Sequence, residues 1–329
     1  MKKIINKPEN VVTEMLDGLA YVHSDLVHRV EGFDIIARNE QAAGQVGLIS
    51  GGGSGHEPAH AGFVGDGMLS AAIAGAVFTS PTPDQILEAI KEADQGAGVF
   101  MVVKNYSGDI MNFEMAQELA EMEGIEVASV VVDDDIAVEN SLYTQGRRGV
   151  AGTIFVHKIL GHAAREGKSL AEIKDLADKI VPNIRTIGLA LSGATVPEVG
   201  KPGFVLAEDE IEYGIGIHGE PGYRKESMQP SRQLAEELTG KLLEAFEAKA
   251  GERYALLING MGATPLMEQY VFANDVASIL GEVGLEVAYK KLGNYMTSID
   301  MAGLSLTLMK IENDAWLEAL ESPVKTIAW

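Results

Sequence analysis

The first segment with residues suited to ligand binding or catalysis is rich in glycine and follows an apolar run. The segment is GGGSGHEP (51–58), and it contains Gly53, Ser54 and Gly55 followed by His56. Glycine permits a positive φ and lets a ligand approach backbone N–H groups closely. Five small residues in a row exceed what a tight turn needs, so we predict a ligand-binding loop. A plain strand-to-helix turn is the structural alternative.

Two further polar segments follow later apolar runs. KNYSGD (104–109) supplies Lys104 and Asp109, an ammonium and a carboxylate that could contact a small polar ligand. The alternatives are a solvated strand end for Lys104 and, for Asp109, a helix N-terminal acid that complements the helix dipole. For the three acids of DDD (133–135) we expect a solvated loop.

One histidine differs from the others in its neighbours. His218 lies in YGIGIHGEPG, with Gly216 and Gly219 on either side. An imidazole among small residues is accessible to a ligand, so it could act as a nucleophile. A loop histidine without a role is the alternative, and composition alone does not decide between them. We expect His60 in a short helix after the glycine-rich segment, and we expect the remaining four on helices as structural or surface residues: His23, His28, His157 and His162.

Two motif matches fail on their structural context. HEPAH (56–60) fits the zinc-hydrolase pattern H-E-x-x-H, which needs both histidines on one face of a continuous helix. Pro58 is poor inside a helix, so we expect His56 outside it and predict no metal site. GHAAREGKS (161–169) has one residue too many for a phosphate-binding loop, and we interpret Gly167 as the end of a helix.

The first half of the chain predicts the elements that would position these residues. Continuous apolar runs alternate there with amphipathic helices, which is typical of a mostly parallel sheet covered on both faces. We predict a three-layer α/β/α domain over 1–185, in which Ser80 caps a helix and Pro81 or Pro83 suits its first turn. Ligands bind beyond the carboxyl ends of such strands, so the polar segments should converge. The runs are VGLIS (46–50), LSAAIAGAVF (69–78), GVFMVVKN (98–105) and EVASVVVDDD (126–135).

The second half has a different pattern. Gly, Pro and Val cluster in 191–204, and shorter runs follow. We predict a second α/β domain over 186–329, with a mixed sheet and a long helix over roughly 231–249. We place the domain boundary near residue 185. The strand candidates are EIEYGIGIHG (210–219), RYALLINGMG (253–262), EVAYKKLGNY (286–295) and SLTLMKI (305–311).

Composition excludes several classes of protein. The 329 residues include 48 Asp and Glu against 26 Lys and Arg, for a formal charge of −22, and no cysteine. Phosphate backbones and anionic membrane surfaces need basic patches, so we expect neither nucleic acid nor a membrane as partner. Without cysteine there is no disulfide framework, iron–sulfur cluster or thiol nucleophile. No apolar stretch approaches about 18 residues, so we expect a cytoplasmic protein.

Six long blocks resemble those of dihydroxyacetone kinases, specifically of the K subunit that binds dihydroxyacetone. The resemblance runs from about residue 20 to the C-terminal MAGLSLTLMK, which is nearly the whole chain. The blocks are GGGSGHEPAHAGFVGDGML, VKNYSGD, VVDDDIAVE, GRRGVAGT, GIGIHGEPG and NGMGATPLMEQY.

The resemblance implies roles for particular residues. In this family a histidine holds the substrate ketone covalently as a hemiaminal, and the GIGIHGEPG match carries that role to His218. The glycine-rich match implies that Gly53, Ser54, Gly55 and His56 bind the triose. The VKNYSGD match adds Lys104 and Asp109. The catalytic set would then be His218, His56 and Asp109, with the proton acceptor left open between the last two.

The resemblance also implies partners. A separate K subunit binds no cofactor itself and needs an L subunit that carries ADP or ATP and Mg²⁺. The M component of the sugar phosphotransferase system then recharges the nucleotide. K subunits are homodimers, so a homodimer is expected here. The alternative is a K-like regulatory coactivator that binds dihydroxyacetone without acting as a kinase subunit, and a passive triose carrier is a third possibility.

Overall fold

The computed structural model describes residues 2–141 and 144–329, and within them twelve strands form two six-stranded sheets. The first sheet has the order β1-β2-β4-β3-β5-β6, with β4, β3, β5 and β6 parallel and β1 and β2 antiparallel. The predicted, mostly parallel sheet is therefore confirmed. Its strands are β1 (Val27–Arg29), β2 (Ile35–Arg38), β3 (Gly47–Ser54), β4 (Ala71–Val77), β5 (Val99–Lys104) and β6 (Val127–Val132).

Helices cover both faces of this sheet, which explains why its strands are continuous apolar runs. In β5, Val99 and Met101 pack with α2 and α3, whereas Phe100 and Val102 pack with α4 and α5. All six β5 residues are buried, as expected for a strand between two helical layers. The helices are α1 (Val11–Val22), α2 (Pro83–Ala93), α3 (Ser107–Met122), α4 (Thr153–Arg165) and α5 (Leu170–Ile180).

The second sheet is mixed, as predicted. Its order is β11-β10-β12-β7-β8-β9; β10 and β11 are parallel, and the other pairs are antiparallel. Its strands are β7 (Ile184–Ala190), β8 (Glu210–Tyr213), β9 (Arg224–Ser227), β10 (Arg253–Gly260), β11 (Glu286–Gly293) and β12 (Gly303–Lys310). Its helices are α6 (Ser231–Phe246), α7 (Leu266–Glu282) and α8 (Asp314–Glu321).

The two sheets share one hydrophobic core. The cluster that contains Phe100 and Phe155 from the first half also contains Met296, Met301 and Met309 from the second. The change of sheet falls just before β7, which begins close to the predicted boundary near residue 185. Because the core is shared, a division into two independently folding domains stays a prediction.

Three local predictions were wrong. His23 and His28 both lie beyond α1, which ends at Val22, and His28 falls in β1, where the chain turns back to pair with β2. The predicted strand 210–219 ends at Tyr213, and the residues after it form a loop. Ser80 does not cap α2, which begins at Pro83.

Among the described residues, none of the helices combines the length and the apolar character that a bilayer crossing needs.

Candidate active site

The carboxyl ends of β3 and β5 meet at a buried lysine. Lys104 is the last residue of β5 and is 1% exposed; its Nζ donates to the Gly51 carbonyl at 3.3 Å and lies 3.9 Å from Asp109 Oδ2. A Cβ at Gly52 would lie 2.5 Å from this nitrogen, so a side chain there would displace the ammonium. The predicted convergence of the glycine-rich and lysine segments is confirmed, and the solvated-end alternative for Lys104 is wrong.

Asp109 lies in the first turn of α3 and is buried. Its Oδ1 accepts a hydrogen bond from the Ser80 hydroxyl, which explains why Ser80 does not cap α2. Burial lowers the pKa of Lys104, and the Asp109 carboxylate partly offsets this by favouring the ammonium. The pair thus places a positive and a negative group side by side beneath the glycines.

The glycine-rich segment is a strand end rather than the predicted loop. Gly53 and Ser54 belong to β3, and the Ser54 hydroxyl donates to the Gly75 carbonyl of β4 at 2.7 Å. A Cβ at Gly53 would lie 2.5 Å from the backbone nitrogen of Thr79, and one at Gly55 would lie 2.7 Å from the Phe78 ring. These glycines therefore allow the turn after β4 to pack directly on the end of β3.

His56 is held from the second half of the chain. Its Nδ1 lies 2.8 Å from the carbonyl oxygen of Thr297, while the Thr297 N–H donates to the His56 carbonyl at 3.1 Å. The Ile299 N–H donates to the Gly55 carbonyl at 2.7 Å. Burial, and then the nearby His218 and Lys104, hold the pKa of His56 well below its usual range. The imidazole is therefore fixed in position, and its surroundings disfavour its charged form.

His218 meets His56 across the site, although 162 positions separate them in the sequence. The two Nε2 atoms lie 3.1 Å apart. The rings of Phe78 and Tyr106 stand edge-on to His218, with centroids 5.2 and 4.6 Å away. The His218 side chain keeps 17% of its surface exposed, whereas His56 is 1% exposed. An aromatic enclosure thus leaves His218 accessible to a small ligand.

Sequence reasoning missed the carboxylate that orients His218. Glu220 Oε1 lies 2.9 Å from His218 Nδ1, and its Oε2 accepts from the His218 backbone N–H at 3.0 Å. Although burial opposes ionisation, the hydrogen bond from His218 and the charge of Arg148 lower the pKa of Glu220 to about 2. The signal was present in GIGIHGEPG, where this carboxylate follows the imidazole by two positions.

The acids at 134 and 135 are buried, so the predicted solvated loop is wrong for them. Asp135 Oδ2 accepts from Arg148 Nε at 2.8 Å and Nη2 at 2.7 Å. Asp134 accepts from the N–H groups of Val150 and Gly152, both at 2.8 Å, at the start of α4. A run of three acids is expected to stay in solvent only where the fold offers it no partners, and here the segment GRRGVAG (146–152) supplies them.

The helix predictions made for the two failed motifs are confirmed. His56 lies outside a helix: residues 56–60 form bends and turns, and a short 3₁₀-helix covers Ala61–Phe63, directly after His60. Within 2–141 and 144–329, the structure has no group of three or more His, Asp or Glu side chains arranged to hold a metal. Helix α4 ends at Arg165, and Gly167 beyond it has a φ of +78°.

His60, which was expected in a short helix, and His157, which was expected as a structural or surface residue, form a hydrogen-bonded series with Lys104. His60 Nε2 lies 3.1 Å from Lys104 Nζ, and His60 Nδ1 lies 2.9 Å from His157 Nε2. Burial and then Lys104 hold the pKa of His60 well below its usual range and lower that of His157 to about 3. Both rings are therefore neutral and buried rather than on the surface.

Comparison with known proteins places this geometry in a family. Residues 17–328 match the Dak1 domain model. The chain belongs to the Dak1 domain family. One Dak1 relative, the dihydroxyacetone-binding subunit DhaK of a PTS-dependent dihydroxyacetone kinase from Lactococcus lactis subsp. lactis (strain IL1403), is 68% identical over 328 residues, covering 100% of this chain and 99% of that protein. The resemblance stated from the sequence is therefore confirmed.

Other Dak1 relatives differ in what their names describe. The DhaKLM operon coactivator DhaQ of the same strain is 45% identical over 329 residues, covering 99% of this chain and 100% of that protein. The crystal structure of the native dihydroxyacetone kinase of C. freundii matches with a TM-score of 0.91 at 35% identity, covering 100% of this chain and 60% of that one. Overall similarity therefore does not decide whether this Dak1 chain functions as a kinase subunit or as a coactivator.

Proposed function

We propose that this Dak1 chain is the dihydroxyacetone-binding subunit of a PTS-dependent dihydroxyacetone kinase. The observation that carries the proposal is the nucleophile geometry: His218 is accessible, and Glu220 fixes the hydrogen of its Nδ1 so that Nε2 points into the site. The relative at 68% identity, which covers the full chain, supports the same substrate class.

The covalent step uses His218 as nucleophile. The Nε2 lone pair forms a bond to the ketone carbon, and the π electrons of the carbonyl move to its oxygen, which takes up a proton. The bonded nitrogen has no hydrogen left to lose, so the hemiaminal does not dehydrate to a neutral imine and the addition stays reversible. Glycerol has no carbonyl, so covalent capture selects the ketone over a polyol of similar size.

Phosphorylation then needs a base and a charged positioning group near the triose hydroxyl. His56 and Asp109 are the proposed acid–base residues, and Lys104 with the backbone of Gly53, Ser54 and Gly55 is proposed to bind the triose. General-base catalysis contributes about 10²–10⁴-fold, and phosphoryl transfer otherwise depends on positioning and charge.

The phosphoryl donor is proposed to come from a partner. A separate L subunit would carry ADP or ATP and Mg²⁺, and the M component of the phosphotransferase system would recharge the nucleotide. We propose that the chain works as a cytoplasmic homodimer and itself holds no nucleotide. The likeness to a subunit of a PTS-dependent kinase supports the proposed link to the phosphotransferase system.

A regulatory coactivator is the second candidate, and the likeness to DhaQ favours it. A coactivator needs ligand capture but no acid–base residues. The buried Asp109, next to Lys104 and Ser80, favours the kinase subunit, because a sensor of the ketone alone would not need a carboxylate held there.

The deciding experiment measures triose phosphorylation with ATP, with and without a cognate L subunit, on dihydroxyacetone and then glycerol. We expect turnover only with the L subunit and the ketone. His56→Ala and Asp109→Ala should each lower kcat by about 10²–10⁴-fold, whereas His218→Ala should abolish covalent capture. Capture without turnover under any pairing would favour the coactivator, and full activity of the His56 and Asp109 variants would contradict their assigned roles.

A further inference from the structure

We propose that Ser80 is a positioning residue for the phosphorylation step. Its hydroxyl binds Oδ1 of Asp109, so that the other carboxylate oxygen, Oδ2, is the one that contacts the triose hydroxyl to be phosphorylated. The inference rests on the proposed function, because it takes Asp109 as an acid–base residue of triose phosphorylation. It adds a residue for which the sequence indicated only a helix cap, a role that the structure does not give it.

The two oxygens of the Asp109 carboxylate have different surroundings. An ionised carboxylate can only accept, so the Ser80 hydroxyl donates its single hydrogen to Oδ1. Oδ2 has no hydrogen bond to any residue within 2–141 and 144–329, and it lies 3.9 Å from Lys104 Nζ. The Asp109 side chain keeps 5% of its surface exposed. The protein therefore occupies Oδ1, and Oδ2 is left to bind a ligand.

Oδ2 lies next to the glycine-rich end of β3, where the triose is proposed to bind. A Cβ at Gly52 would lie 3.4 Å from Asp109 Oδ2 and 2.5 Å from Lys104 Nζ. The free carboxylate oxygen and the ammonium are thus neighbours at the same point of the strand. A small polyhydroxy ligand placed there can donate a hydroxyl hydrogen to Oδ2 and accept one from the ammonium.

The turn that carries Ser80 is held from two sides. A Cβ at Gly75 of β4 would overlap the Thr79 carbonyl oxygen, so the turn packs directly on its own strand. Phe78, the first residue after β4, has a φ of +55°, a conformation that persists only where surrounding contacts impose it. On the other side, a Cβ at Gly108 would lie 2.9 Å from the Ser80 hydroxyl oxygen. Glycine at this position therefore lets the start of α3 approach the hydroxyl closely.

A second hydrogen bond joins the same turn to the same helix. Asn112 Nδ2 donates to the Pro81 carbonyl at 2.7 Å. Asp109 and Asn112 are three positions apart on α3 and so lie on one face of the helix. Removing the Ser80 hydroxyl would release the Asp109 carboxylate but keep the bond from Asn112. A variant without the hydroxyl should therefore retain the fold of this region.

The placement of the hydroxyl favours a role in the site over a role in helix stability. A serine just before a helix commonly caps it, because its oxygen can accept from a free backbone N–H. The N-cap of α2 is instead Thr82, which makes no side-chain cap hydrogen bond. The chain thus leaves the end of α2 without a side-chain cap, while the Ser80 hydroxyl binds Asp109 on a different helix.

The first test measures phosphorylation of dihydroxyacetone by the full-length chain with a cognate L subunit and ATP. Ser80→Ala should lower kcat by about 10–100-fold, the effect of losing one hydrogen bond to a charged group. KM should stay nearly unchanged, because His218 still captures the ketone. The matched control is Thr79→Ala, which removes the neighbouring hydroxyl, a donor to the Val77 carbonyl at 3.3 Å. Equal kcat values for the Ser80 variant and this control would overturn the proposal.

The second test asks whether Ser80 acts through Asp109. Ser80→Thr keeps a hydroxyl on this half-buried side chain and should recover most of the kcat lost in Ser80→Ala. In a chain that already carries Asp109→Asn, Ser80→Ala should lower kcat no further, because the group that it positions is gone. Effects that multiply in the double variant, or a threonine variant as slow as the alanine variant, would contradict the assigned role.

The third test separates this proposal from the proposed function. Crystal structures of the free wild-type chain and of Ser80→Ala should differ at Asp109, with the carboxylate rotated or spread over several positions in the variant while Asn112 still binds the Pro81 carbonyl. A carboxylate that stays in place without the Ser80 hydroxyl would rule out the positioning role. This readout needs no turnover, so it decides the role of Ser80 even if no L subunit supports phosphorylation and the proposed function fails.

Discussion

At the scale of single residues, two buried imidazoles orient the site's ammonium. An ammonium can only donate, so Lys104 donates to His60 Nε2, and the hydrogen on His60 Nδ1 then points to His157 Nε2. His157 Nδ1 must carry a hydrogen, and it is buried without a hydrogen-bond partner among the described residues. The series of hydrogen bonds from Lys104 through His60 to His157 can therefore form only while both rings are neutral.

This neutrality predicts a pH-dependent stability. Below pH 6.5 the unfolded chain protonates His157, whereas the folded ring, with its pKa lowered to about 3, does not. The unfolded state then binds more protons, so stability falls as pH falls through that window. His157→Gln should reduce the slope between pH 6 and 4 by up to about 1.4 kcal/mol per pH unit in urea unfolding. The control is His23→Gln, directly after α1. An unchanged slope in the His157 variant would contradict the proposal that the folded protein keeps the His157 ring neutral.

Sequence reasoning found the polar residues at strand ends but not the groups that hold them. His56, Lys104 and Asp109 follow apolar runs, and strand ends are where open sheets bind ligands. Phe78 and Arg148 contribute through contacts that only the folded chain creates, so residue type and spacing gave no signal for them.

At the scale of elements, the end of β3 depends on the turn after β4. Phe78, in that turn, and Ile299, opposite Gly55, both have positive φ, which is uncommon for non-glycine residues and rarer still for a β-branched one. Such conformations persist only where surrounding contacts impose them, and they cluster at functional sites. The glycines of β3 are therefore required by close backbone packing as much as by a ligand.

Two glycine substitutions test this account of β3. A Cβ at Gly53 would meet the backbone of Phe78 and Thr79, which cannot move as a flexible side chain can. We expect Gly53→Ala to cost about 1–3 kcal/mol of unfolding free energy and to weaken triose binding. Gly18→Ala, in α1 with open space around it, should instead stabilise by about 0.5–1 kcal/mol. Urea denaturation of both variants gives the comparison, and equal effects would rule out the packing account.

Long buried elements were predictable, whereas short edge strands were not. β5 and β10 are continuous apolar runs because both of their faces are covered. β1 and β9 have three and four residues, and the residues of β9 are mostly exposed, so their sequences carry no apolar alternation. Their pairing is set by partners elsewhere in the sheet, which a local pattern does not record.

At the scale of the whole molecule, the two halves are joined by packing as well as by the site. Trp329 stacks on Tyr289 with ring centroids 6.2 Å apart and meets Phe155 of α4 at 6.4 Å. The separate sequence patterns of the two halves predict two domains, and this division stays a prediction, because a local pattern does not show which apolar faces meet. A shared core implies that the halves stabilise each other and unfold together.

A core substitution far from the second half tests this coupling. Ile90 is buried in α2, in the cluster that packs α2 and α3 on the first sheet. Ile90→Ala should lower the unfolding free energy by about 2–5 kcal/mol. Both tryptophans, Trp316 and Trp329, lie in the second half, so their fluorescence reports unfolding there. We expect the urea midpoints from fluorescence and from far-ultraviolet circular dichroism to fall by the same amount. Val131→Ala, at an exposed position of β6, should leave the unfolding free energy from both probes within about 0.5 kcal/mol of wild type. A fluorescence midpoint that stays in place while the dichroism midpoint falls would mean that the halves unfold separately and that the chain consists of two independent domains.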